Sequence, residues 1–209
     1  MMQSTIYKLI EFFIIFIIIP ISFTIDFALW IKAIIAITGF IYIVYYLLRI
    51  EKNKFKIAAN LNWSRFFKAT FFKLILIAVI TITFVLISNQ ASLFKVVLNK
   101  PLLWLVILFV YSAFSVYPQE LIYRTFYFQR YKNLFKNEHI LIFINAIVFS
   151  LAHIFFRNTL VILLTFLGGL LFAFTYNKTK STLLVSIEHA IYGSWLFTVG
   201  MGEMLGFPS

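Results

Sequence analysis

The chain has 209 residues, 63% of them hydrophobic and 20% aromatic, with only 12% charged and a mean hydropathy of +0.98. An ordinary soluble domain carries about 25% charged residues, and 18 Lys and Arg with 7 Asp and Glu are too few to cover the polar surface a water-soluble fold of this length needs. Most of the outside must therefore face lipid, and the absence of cysteine excludes disulfides, thiolate metal sites and a thiol nucleophile.

Seven apolar stretches reach the length of about 17–25 residues that a transmembrane helix needs: roughly 6–25, 27–48, 70–88, 101–117, 139–156, 159–177 and 181–200. The first follows Lys8, but no small-residue cleavage site of the Ala-x-Ala kind comes after it, so it reads as a retained span. Between the second and third stretches, Trp63, Phe66 and Phe67 alternate with Arg65 and Lys68 over 49–69, the pattern of an amphipathic interfacial helix. The expected fold is an all-α polytopic transmembrane helix bundle, with about seven spans plus that interfacial helix, in one membrane domain over 1–209. No internal repeat or soluble domain interrupts it.

The formal charge of +11 sits where topology signals and contacts to anionic lipid belong. Arg49, Lys52, Lys54, Lys56, Arg65, Lys68 and Lys73 lie in the second connection, Arg124, Arg130, Lys132 and Lys136 in the fourth, and Lys178 and Lys180 in the sixth. The other connections hold only Lys95 and Lys100, or Arg157, or none. This alternation places the N-terminus in the cytoplasm and the C-terminus outside, in a bacterial-type inner membrane. No basic, aromatic-interleaved soluble segment offers a nucleic-acid surface, so the partners expected are membrane lipids and not nucleic acid.

An ionisable side chain at the centre of a span costs about 2.5–3.5 kcal/mol on insertion scales, so each needs a partner or a task. Glu120 and Arg124 stand four apart in the polar stretch 118–138, on one helix face where they can pair. His153 lies near the end of the fifth stretch, with Asn145 eight residues before it on much the same face. Glu188 and His189 fall in the middle of the seventh stretch. Read singly, the Glu120–Arg124 pair is an interfacial ion pair, His153 an interface residue and His189 a hydrogen-bonding partner for a neighbouring helix. Together they suggest a shared polar cavity. Glu11 and Asp26 flank the first span and read as interfacial, His139 as a loop residue, and Gly168 and Gly169 as aids to close helix packing.

The order Glu120-x-x-x-Arg124, Phe149-x-x-x-His153 and then His189 resembles the three motifs of the CAAX protease and bacteriocin-processing (CPBP, Abi-type) family of intramembrane metalloproteases. The resemblance covers about 101–200. It departs at Gln119, where the family usually has its first Glu, and at Gly193, where it usually has Asn. An amide cannot serve as a base near neutral pH, so Gln119 bears on the mechanism and not on the fold.

The resemblance implies an intramembrane endopeptidase that cleaves membrane-associated peptides or proteins, in peptide processing or bacteriocin self-immunity. A non-catalytic pseudoprotease acting as a membrane scaffold is the alternative reading, and a small transporter a third. Because Gln119 stands where the resemblance implies the base, the roles read for these residues are Glu120 as base, His153 holding the water, His189 as oxyanion donor, Arg124 orienting Glu120, and Gln119 hydrogen-bonding the substrate carbonyl or the water. Glu120, His153 and His189 would also suffice as a Zn²⁺ ligand set with an open position. A metal-free glutamate mechanism stands beside that option.

Overall fold

The computed structural model describes residues 4–49 and 62–206. Its main helices are α1 (Thr5–Ser22), α2 (Leu29–Arg49), α3 (Trp63–Ser88) and α4 (Pro101–Leu134), then α5 (Glu138–Leu151), α6 (Thr159–Thr179) and α7 (Thr182–Val199). No strand occurs among the described residues, and the fold is all-α as expected. Six of these helices, α5 with its short 3₁₀ extension to Phe156 included, are long and apolar enough to cross a membrane. The seventh expected span does form α7, but Glu188 and His189 at its centre lower its hydropathy and it is not among the six.

Short-range chemistry sets the helix ends. The side chains of Ser4, Asn62, Asn137 and Asn158 accept hydrogen bonds from backbone N–H groups in the first turns of α1, α3, α5 and α6, satisfying donors that a helix start otherwise leaves open. Pro101 occupies the first turn of α4, where a missing N–H costs nothing. Pro20 and Pro118 instead lie inside helical runs, and a π-helical turn precedes each, over Ile14–Ile18 and Tyr111–Val116. A proline ring crowds the carbonyl four residues back and removes its donor, and a widened turn relieves that conflict.

The chain divides into two units. The first takes its described residues from Met1–Lys56 and Gln119–Thr182, the second from Ile57–Pro118 and Leu183–Ser209. In the first unit, aromatic rings fill the space between α1 and the C-terminal half of α4: Phe16 lies 5.4 Å from Tyr123, 5.6 Å from Tyr127 and 5.8 Å from Tyr131 between centroids. Beside them Glu11, read from the sequence as interfacial, is buried among protein groups. Arg130 Nε donates to its Oε2 at 2.6 Å, the Tyr131 hydroxyl to the same oxygen at 3.0 Å, and the Tyr42 hydroxyl to Oε1. The Arg130 guanidinium also lies 4.3 Å over the Tyr46 ring. A carboxylate so enclosed survives because three groups answer it. Asp26, by contrast, is fully exposed, 4.0 Å from Arg157.

Gly169 of α6 backs onto α5, where a Cβ would come within 3.1 Å of the Ala146 Cα; its expected packing role is borne out. His139 is exposed as a loop residue would be, but it belongs to the first turn of α5. Residues 50–61 of the expected interfacial helix lie outside the described residues, and Trp63–Ala69 are the opening turns of α3.

In the second unit, Trp195 Nε1 donates to Thr81 Oγ1 at 2.9 Å and Trp104 Nε1 to Thr198 Oγ1 at 2.9 Å, tying α7 to α3 and to α4. Glu188 is fully buried; Lys73 forms an ion pair with its Oε1, to which the Tyr192 hydroxyl donates at 2.9 Å. Lys73, Arg124 and Arg130 were counted among the topology charges, yet each answers a buried carboxylate. The basic alternation then rests on the remaining Lys and Arg of the same connections.

Candidate active site

The Glu120–Arg124 motif follows Pro118 in α4, and a second π-helical turn, Leu121–Phe126, begins directly after Glu120. Wide turns of this kind recur at functional positions, where they re-aim side chains. Glu120 and Arg124 are both fully buried, with Arg124 Nε 3.3 Å from Glu120 Oε2. A buried guanidinium needs neutralisation and acceptors for its five N–H groups. Nη1 donates to Asn145 Oδ1 at 2.8 Å and to the Tyr123 carbonyl at 3.3 Å, and Asn145 Nδ2 donates to that same carbonyl at 2.6 Å. The cation faces the Phe149 ring at 4.6 Å, an arrangement in which the ring quadrupole adds to its stabilisation. Gln119 is half-buried beside Glu120.

Phe149 carries the second motif and joins it to the first, since its ring meets both Arg124 and, at 4.9 Å between centroids, His153. Helix α5 ends at Leu151, and His153 follows in a turn closed by its own N–H to the Ser150 carbonyl at 2.9 Å. The helix-face relation to Asn145 read from the sequence therefore stops before His153, and Asn145 serves Arg124 instead. His153 Nδ1 lies 2.8 Å from the Phe149 carbonyl. A carbonyl only accepts, so Nδ1 carries the proton and Nε2 keeps the lone pair that can take a proton, a water or a metal.

His189 belongs to the second unit, where α7 buries it against Tyr111 of α4. The two rings stand edge to face with centroids 6.0 Å apart. One turn further along α7, Gly193 lies against the same tyrosine. The first unit thus brings Glu120, Arg124 and His153 into one connected group through Phe149, with Gln119 at its edge. Among the described residues no group of three or more His, Asp or Glu side chains is placed to hold a metal ion.

Comparison with known families bears on the segment that carries all three motifs. Residues 100–195 match the type II CAAX prenyl endopeptidase family, Rce1-like. This bears out the resemblance read from the motifs, over a little under half of the chain. No curated protein and no solved structure matches significantly. The Rce1-like segment runs from the start of α4 into α7 and contains Gln119, Glu120, Arg124, Phe149, His153, His189 and Gly193.

Two residues near these motifs escaped the sequence reading. Lys73 looked like a loop charge, and only its place ten residues into α3 signals a buried partner. Tyr111 looked like one more aromatic in an apolar run; the available signal was Gly193, a glycine four residues after His189 in a helix of large side chains.

Proposed function

We propose that the chain is an intramembrane endopeptidase that hydrolyses a peptide bond in membrane-associated peptides or proteins, serving peptide processing or self-immunity to a bacteriocin. The observation that carries the reading is the buried Glu120–Arg124–Asn145 group joined through Phe149 to His153, within the segment that matches an endopeptidase family. Helices α4 and α5 would not be expected to bring a buried carboxylate and guanidinium to an imidazole for stability alone, because a buried ion pair is often no better than an apolar replacement.

In the proposed reaction, water held by His153 Nε2 attacks the substrate carbonyl carbon and gives its proton to the Glu120 carboxylate. Arg124, fixed by Asn145 and Phe149, holds that carboxylate in one orientation. His189 donates to the oxyanion that develops on the carbonyl oxygen, and the Gln119 amide binds the substrate carbonyl or the water. The proton on Glu120 then passes to the leaving amine as the C–N bond breaks. With no three-ligand set among the described residues, each step is assigned to the chain's own groups. Zn²⁺, if bound by Glu120 and the two histidines, would supply Lewis acidity and an acidified water. The N-terminus is proposed to lie in the cytoplasm and the C-terminus outside, in an inner membrane.

The test is cleavage of a panel of membrane-anchored peptides by the purified protein, with and without a chelator. Cleavage that survives the chelator supports the route through Glu120. Loss of cleavage on chelation, restored by Zn²⁺, transfers water activation to the metal, and no cleavage of any peptide removes the enzyme assignment.

A further inference from the structure

Beyond His153 the chain passes through one 3₁₀ turn, Ile154–Phe156, to Arg157. His153, Arg157 and the connection between α1 and α2 all belong to the first unit. The turn brackets the histidine. The Phe156 N–H donates to the His153 carbonyl at 3.1 Å and the Arg157 N–H to the Ile154 carbonyl at 3.0 Å, while the Phe156 ring stacks on the imidazole with centroids 6.1 Å apart. Arg157 closes the turn with φ +52°, a left-handed backbone that costs a residue with a side chain on the order of 1 kcal/mol and glycine almost nothing. The backbone alone thus gives no reason for an arginine here.

The side chain supplies one. Arg157 Nη2 donates to the Thr24 carbonyl at 3.0 Å, in the connection between α1 and α2, and Lys32 of α2 donates to the neighbouring Phe23 carbonyl at 2.9 Å. Two cations therefore answer consecutive carbonyls just past the end of α1, where a helix leaves acceptors open. The last turn of α1, Ile19–Ser22, packs against Ile154–Phe156 at the same place. Asp26 Oδ1 is 4.0 Å from Nη2 but its side chain is 99% exposed, so water screens that pair and the Thr24 carbonyl is the partner that holds the guanidinium. We infer that Arg157 is a positioning residue for His153: it fastens the turn to the α1–α2 connection, which keeps Nδ1 on the Phe149 carbonyl and Nε2 free to hold the water. The water-holding role rests on the endopeptidase reading above. Thr24 precedes the family-matching residues 100–195, so the first two helices acquire a task in setting the second motif.

The experiment uses the full-length protein in detergent and two readouts. The first needs no turnover: the rate at which diethyl pyrocarbonate modifies His153, resolved by mass spectrometry of the peptide that contains it. The second is kcat and KM on the lipid-anchored, internally quenched peptide of the panel that the wild type cleaves fastest. Arg157→Gly keeps the left-handed turn and removes only the clamp. Modification of His153 should then rise about 3- to 10-fold, what the loss of one hydrogen bond of ordinary net worth permits. On the same variant kcat should fall about tenfold, as a small misplacement of a reacting group does, with KM and thermal midpoint unchanged. Arg157→Lys keeps a cationic donor and should restore most of both, and Asp26→Asn should change neither. Equal modification of His153 in wild type and Arg157→Gly overturns the positioning role and leaves the endopeptidase reading standing. So does a fall in kcat that tracks a lowered thermal midpoint. An Asp26→Asn protein that behaves like Arg157→Gly overturns the Thr24 carbonyl as the partner. A wild type inactive on every peptide ends the endopeptidase reading, and faster modification of His153 in Arg157→Gly would still establish the clamp.

Discussion

Replacing Arg124 by Met tests whether the first motif is a single coupled unit. The guanidinium is fully buried and answers three groups at once: the Glu120 carboxylate at 3.3 Å, the Asn145 amide oxygen at 2.8 Å and the face of Phe149 at 4.6 Å. Removing one partner of a buried ion pair costs about 3–5 kcal/mol, because the other charge stays uncompensated. The orphaned Asn145 oxygen adds about 1–3 kcal/mol, part of which the methionine sulfur recovers against Phe149. The terms overlap, so the expected loss is roughly 4 kcal/mol. Glu120→Gln placed on Arg124→Met removes the stranded charge and should recover about 2 kcal/mol. The assay is denaturant titration in mixed micelles, followed by tryptophan fluorescence, for the wild type, both single variants and the double. If the two losses add to within about 0.5 kcal/mol, the residues are not coupled and the argument that Arg124 holds Glu120 is refuted.

Reporter fusions test the orientation: one after Ser209 should report the outer side and one near Lys54 the cytoplasm, while reversed signals would overturn the orientation and equal sides the odd span count. Gly169→Val should lower stability by about 1–3 kcal/mol, as expected for overpacking, since its Cβ would press on the Ala146 backbone; an unchanged thermal midpoint would contradict the close packing of α5 and α6. Gln119→Glu should change turnover only modestly if Glu120 is the base, and a large gain would show that the amide at 119 had cost the protein its natural base.

The spans were legible because lipid imposes a simple rule, a run of about 20 apolar residues for each crossing. Burial of charge was harder to read. Glu11 lies near the start of its span and looked interfacial, but its partners Arg130, Tyr131 and Tyr42 come from α4 and α2, and nothing local to residue 11 announces them. Lys73 and Glu188 are likewise distant in sequence. The Glu120–Arg124 pair was readable because its spacing alone puts both groups on one helix face. Asn145 was singled out for its place on α5, yet its role as the acceptor for Arg124 depends on how α4 and α5 pack. The position of His153 was legible but its tautomer was not, since that follows from the turn that ends α5 and sets Nδ1 on the Phe149 carbonyl. Gly193 read as a missing asparagine; the structure shows a glycine required by Tyr111.

The central claim is that Glu120 activates water for peptide hydrolysis. Turnover of the cleaved lipid-anchored peptide by purified wild type and by Glu120→Gln, with protein folding matched by thermal midpoint, measures it most directly. Glu120→Gln should lower turnover by at least about 10²- to 10⁴-fold, the contribution of general acid–base catalysis; a folded Glu120→Gln protein that cleaves at the wild-type rate would contradict the base role.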